Sequence, residues 1–166
     1  MDSSTPEQPK CFCGIDNGVS GGLAIIDQDL NVLHLDIVPT LDTGAGKEID
    51  CIVVDLILSK YNPHIIVLES GQKQPIFGCK GNFANGFNYG TMVGLLGVTM
   101  RRHIRINPKE WQKEIFSSIK RGKKTTKDVS LMVCRRMFPK LKLDGDHDKS
   151  DALCLALYAR NRYGKA

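Results

Sequence analysis

A chain of 166 residues, 42% hydrophobic and 25% charged, has the size and composition of one globular domain with an ordinary core, which excludes wholesale disorder and a fibrous repeat. No apolar run approaches the roughly eighteen residues of a membrane span, and no basic start leads into an apolar stretch. An intracellular, soluble protein with no membrane partner is expected. The formal charge of +5 is unevenly spread. Lys109, Lys113, Lys120, Arg121, Lys123, Lys124, Lys127, Arg135, Arg136, Lys140 and Lys142 meet only Glu110, Glu114 and Asp128 in the same stretch, which suits either a polyanion-binding surface or a solvated charged face.

Residues 1–10, MDSSTPEQPK, read as a flexible polar tail ahead of a single domain over 11–166. CFCGID, ending at Asp16, then the glycine-rich NGVSGG and LAIID predict a hairpin, and NVLHLDIVPT a third strand closed by Pro39. From Lys47 to Tyr61, Ile49, Ile52, Val53, Leu56 and Ile57 recur at helical spacing until Asn62 and Pro63 end the helix. HIIVLES is too short and too branched for a helix and predicts a buried strand parallel to the first. Gly71 to Asn85 is expected to be a long polar loop, a length more often functional than idle.

GFNYGTMVGLLGVTMRRH predicts a helix with Gly86, Gly90, Gly94 and Gly97 on one face. Glycine costs about 1 kcal/mol per helical position relative to alanine, so the stripe implies close packing. Two partners satisfy it: the chain's own sheet, or a second copy across a dimer interface. IRIN is a short strand, and Asn107, Pro108 and Glu110 form a helix start that runs to the basic loop KRGKKTT. KDVSLMVCRRMF is a further helix stopped by Pro139, and a last one runs from Asp148 to about Tyr163. The order is that of an α/β layer fold with a mixed sheet. The six cysteines lack the paired spacing of a zinc site and mostly fall in apolar segments, as buried reduced thiols do.

Carboxylates recur at the ends of apolar elements: Asp16 after the first strand, Glu69 after the fourth, and Asp148 with Asp151 at the start of the last helix. If the first and fourth strands are neighbours, Asp16 and Glu69 face one another at their carboxyl ends, where α/β sheets form sites. Asp148 and Asp151, at i and i+3, share a helix face. Capping alone accounts for Asp148 but not for Asp151, which is followed at once by ALCLALYA. Clustered carboxylates stay charged when a cation joins them, and magnesium or manganese prefers oxygen ligands.

In their order, GIDNGVSGGLAIID, IIVLES, NPKEWQK, TTKDVS and DHDKSDALCLALY resemble the RuvC-like Holliday junction resolvases, especially their chloroplast and viral or phage branch, from about Cys13 to Tyr158. The resemblance implies an RNase H-like fold: a five-stranded mixed sheet, its first three strands antiparallel, flanked by helices. It implies a homodimer that hydrolyses DNA symmetrically at four-way junctions with two magnesium ions per site, manganese substituting, and no nucleotide cofactor. The matching acids are Asp16, Glu69, Asp148 and Asp151, the last a glutamate in the chloroplast branch. Asp146 and His147 are neighbours that could substitute or support. Lys127 and Lys113 correspond to lysines near the family's site. Lys73, Phe77, Lys80 and Phe83 would approach the branch point, with either phenylalanine able to insert or to anchor the loop, and Lys120, Arg121, Lys123 and Lys124 would meet DNA. Gly86, Gly90 and Gly94 would lie in the dimer contact. Trp111 fits a core position better than a stacking one.

Rival readings are an actin-like kinase, whose first phosphate loop GIDNGVSGG also resembles, a transposase-type nuclease, and a non-catalytic junction-binding or architectural protein. The first needs a second domain and a second phosphate loop, and the four intact acids oppose the last.

Overall fold

The computed structural model describes residues 10–44, 46–71, 78–119, 122–143 and 145–164. In chain order the elements are β1 (Cys11–Ile15), β2 (Gly22–Asp27), β3 (Val32–Ile37), β4 (Thr40–Asp42), β5 (Lys47–Ile49), α1 (Cys51–Tyr61), β6 (Ile65–Glu69), α2 (Gly78–Val98), β7 (His103–Ile106), α3 (Pro108–Ile115), α4 (Thr126–Met137) and α5 (His147–Tyr163). One five-stranded sheet has the order β3-β2-β1-β6-β7. β1, β2 and β3 are antiparallel neighbours, whereas β6 runs parallel to both β1 and β7. This is the mixed, helix-flanked sheet expected from the sequence.

The period-2 alternation of strand side chains divides the apolar residues between two cores. Phe12, Ala24, Ile26, Ile65 and Val67 face α5 together with Trp111, Val133 and Phe138. Cys13, Ile15, Leu23, Ile25, Ile66 and Leu68 face Val54 and Leu58 of α1 and Met92 and Leu96 of α2. α5 is apolar nearly all round because it lies on β1, β2 and β6 and is overlaid by α3 and α4. Its close approach requires glycine beneath it. A Cβ at Gly14 would come within 2.2 Å of the Ala152 carbonyl oxygen and the Ala156 nitrogen, and one at Gly22 within 2.5 Å of the Asp148 carbonyl oxygen.

Several boundaries depart from expectation. Residues 47–49 are not helical; they pair with β4 in a separate two-stranded ribbon. The helix begins one residue after Asp50, whose carboxylate accepts hydrogen bonds of 3.1 Å from the Ile52 and Val53 amides, the usual N-cap role of aspartate. Val54 and Leu58 turn inward while Ile52 and Leu56 are 74% and 62% exposed. A helix this apolar on every side carries no periodic signal for its buried face.

The expected loop over Gly71 to Asn85 is helical from Gly78 onward. Asn82 donates to the Gly78 carbonyl at 2.7 Å and Asn88 to that of Ala84 at 2.9 Å, so these asparagines bond within the helix instead of breaking it. The glycine stripe does not dock on the sheet. Gly86, Gly90, Gly94 and Gly97 are exposed, and nothing lies within 4 Å of a Cβ built on any of them. Asn88, Met92 and Leu96 make the inward contacts instead.

Four cysteines are buried, Cys51 is half-buried and Cys79 exposed, all as free thiols. No helix among the described residues is long and apolar enough to cross a membrane.

Candidate functional site

The parallel register of β1 with β6 pairs Ile15 with Leu68. The next residue of each strand is an acid, so Asp16 and Glu69 emerge side by side at the carboxyl end of the sheet. Above them α5 starts at an N-cap supplied by Asp146, which accepts from the Lys149 amide at 3.1 Å and pairs with the Lys149 ammonium at 3.6 Å. Capping is thereby met without Asp148, and Asp146 is committed to it. Asp148 in the first turn and Asp151 at the start of the second line a cleft of about 320 Å³ together with Asp16, Glu69, Asn17, Ser20, Ser70, Asn85 and Lys127. The near contact of α5 with Gly14 and Gly22 is what lowers the two aspartates to the level of Asp16.

Crowding shows in the acidities. Burial, followed by the charges of Glu69 and Asp151, holds the Asp16 carboxyl well above its ordinary value, and it shares a hydrogen bond with Glu69. Burial also raises Glu69, against the opposing effect of hydrogen bonds from Trp111 and Asp16. Asp151 is pushed up to about 6, chiefly by burial and then by Glu69, with Ser130 and Lys127 acting the other way. These shifts have the sign expected of carboxylates brought together in a dry place, where burial and mutual repulsion outweigh the nearby lysine.

Among the described residues no three acid, histidine or cysteine side chains surround a single point as a ligand set. The chemistry of the cleft nonetheless fits a hard divalent ion. Its donors are four carboxylates, and the buried Asn17 Oδ1 beside Asp16 has no hydrogen-bond partner. Oxygen-only donors of this kind suit magnesium or manganese and not a thiolate-seeking metal.

Of the other residues singled out in the sequence, Lys127 lines the cleft, while Lys113 is exposed on α3 and is not part of its lining. Lys123 and Lys124 are exposed just ahead of α4. On α2, Lys80 is exposed and Phe83 is 75% exposed. Lys73, Phe77, Lys120 and Arg121 lie outside the described residues.

Trp111 is 1% exposed, a core residue as expected, and its indole N–H donates to Glu69 Oε1 at 2.8 Å. Ser130, fully buried on α4, donates to Asp151 Oδ1. Neither contact has a local sequence signal, because each joins residues far apart in the chain. The capping box of Thr125 and Asp128 that starts α4 beside Lys127 was legible as T-x-x-D.

No family model and no curated protein matches the chain. Solved structures do. Thermus thermophilus RuvC in complex with a Holliday junction substrate superposes with a TM-score of 0.71 at 18% identity, covering 95% of this chain and 98% of that one. A second Thermus thermophilus RuvC structure gives 0.66 at 18% identity, over 93% and 96% of the two chains. The yeast mitochondrial Holliday junction resolvase Ydc2 gives 0.60 at 14% identity, over 93% and 79%. At these identities the likeness establishes a shared, RNase H-like fold along nearly the whole chain.

Proposed function

We propose that the chain is a metal-dependent endodeoxyribonuclease that acts as a homodimer on four-way DNA junctions and cuts opposing strands symmetrically. The convergence of Asp16, Glu69, Asp148 and Asp151 on one cleft carries this reading. It is supported by the fold shared with RuvC, solved in complex with a Holliday junction substrate, and with the resolvase Ydc2. The motif order favours the chloroplast and viral or phage branch.

The four acids would hold two magnesium ions, or manganese in their place. The chemistry supplied there is Lewis-acid activation of water and neutralisation of charge on the departing 3′ oxygen. The chain's own residues do the rest. Lys127, whose ammonium acts on Asp151, offers fixed positive charge to the phosphate as negative charge develops. Lys80, Phe83, Lys123 and Lys124, with Lys73, Phe77, Lys120 and Arg121, would meet the junction arms and branch point. Lys113, exposed on α3 outside the cleft lining, would offer a second positive charge to the DNA near the site.

The exposed stripe of Gly86, Gly90 and Gly94, flanked by Phe87 and Val98, suits a second copy packed backbone to backbone. The decisive assay incubates the protein with a mobile junction, a linear duplex, or ATP plus sugar, each with magnesium. Paired symmetric nicks in the junction alone are expected. Asp16→Asn should lower cleavage by more than about a hundredfold, beyond the loss typical of a merely supporting group, while junction binding persists. Binding without cleavage by the parent protein would favour the architectural reading, and cleavage unchanged by Asp16→Asn would remove Asp16 from the site.

A further inference from the structure

Two acids of the cleft are gripped from behind by donors that belong to the core. The indole of Trp111 is locked edge-on against Phe116, with ring centroids 5.4 Å apart, and its single N–H points at Glu69 Oε1 at 2.8 Å. On the opposite wall the hydroxyl of Ser130 reaches Asp151 Oδ1. That hydroxyl has one proton, and its alternative acceptor, the Thr126 carbonyl, is farther away at 3.2 Å. Both donors are almost inaccessible to solvent. A tryptophan N–H has no other use in an apolar layer, and a serine would be unfavourable there without an acceptor. Each therefore fixes one carboxylate oxygen of a residue that lines the cleft.

We infer that Trp111 and Ser130 are positioning residues that make Glu69 and Asp151 present one oxygen each, in a set direction, to the divalent cation. The inference rests on the metal-dependent reading of the cleft. It assigns metal affinity, not DNA affinity, to two residues that touch neither DNA nor ion. Groups that orient metal ligands in this way typically govern affinity by about 10–100-fold.

The test is calorimetric titration of the metal-free protein with manganese, beside thermal melting in chelator and cleavage kinetics over a magnesium series. Trp111→Phe keeps the aromatic packing but loses the N–H; Ser130→Ala removes one oxygen. Each is expected to raise the manganese dissociation constant about tenfold or more. The magnesium needed for half-maximal cleavage should rise in parallel, with KM for the junction unchanged. Val133→Ala, which thins the same core without touching an acid, is the control and should bind manganese like the parent. If Trp111→Phe fails to fold, Ser130→Ala decides the matter. Folded variants that titrate like the parent, or a control that loses as much affinity, would overturn the inference. A parent protein that binds no manganese would instead sink the metal-dependent reading itself.

Discussion

Asp151 illustrates how position, not residue type, sets the charge of a side chain. In the fold its carboxyl is pushed up to about 6 from an ordinary 3.8, chiefly by burial. The folded state therefore keeps a proton that the unfolded chain releases above about pH 4, so stability is full at low pH and declines as pH rises through about 6. Asp151 alone contributes a decline of roughly 3 kcal/mol, with Asp16 and Glu69 acting in the same direction. Melting in chelator between pH 4 and 8 should show a falling Tm that Asp151→Asn makes less steep, the remaining slope coming from Asp16 and Glu69, and that added magnesium reverses at neutral pH. Lys127 makes the opposite contribution, an exposed cation at the cleft wall. Lys127→Ala should slow cleavage about 10–100-fold while weakening junction binding by severalfold at most. Equal losses in rate and binding would reduce it to a phosphate contact.

Among the elements, α5 carries the site and depends on what lies under it. Two of the four acids are on its first two turns, and its height above the sheet is set by the missing side chains of Gly14 and Gly22. A Cβ at Gly14 would strike backbone atoms, which cannot rotate away, so the helix itself would have to move. Gly14→Ala should destabilise the chain by about 3 kcal/mol or more and lift Asp148 and Asp151 from Asp16. Chemical denaturation would measure the first effect and manganese titration of any folded remainder the second. The apolar run after Asp151 follows from the same placement, since a helix between sheet and helices has no wet side. α2 is the contrary case. It presents Gly86, Gly90 and Gly94 to open space.

At the scale of the whole molecule, the proposed dimer across the bare face of α2 would relate two copies of the cleft by symmetry. Gly90→Arg should leave the fold intact, because arginine is a better helix former than glycine by nearly 1 kcal/mol. Its long charged side chain would nevertheless prevent two helices from approaching. Sedimentation should show a monomer, and junctions should be nicked on one strand without the paired second cut. A variant that still sediments as a dimer would move the interface elsewhere.

The layer order, the strands of the sheet, the start of α3 and the acids that follow β1 and end β6 were legible in the sequence because each has a local signature: alternation in strands, Asn-Pro-x-Glu at a helix start, an acid closing an apolar run. Helix faces were not legible where the helix is apolar all round, as in α1, nor was the helical state of Gly78 to Asn85, where asparagines bond to their own helix. Tertiary structure alone decided which way the glycine stripe points, that Asp148 and Asp151 meet Asp16 and Glu69 in one cleft, and that Trp111 and Ser130 hold Glu69 and Asp151. The physical reason is range. Periodicity and capping are encoded within a few residues, whereas the direction of a buried hydrogen bond depends on distant segments whose packing no neighbouring residues specify.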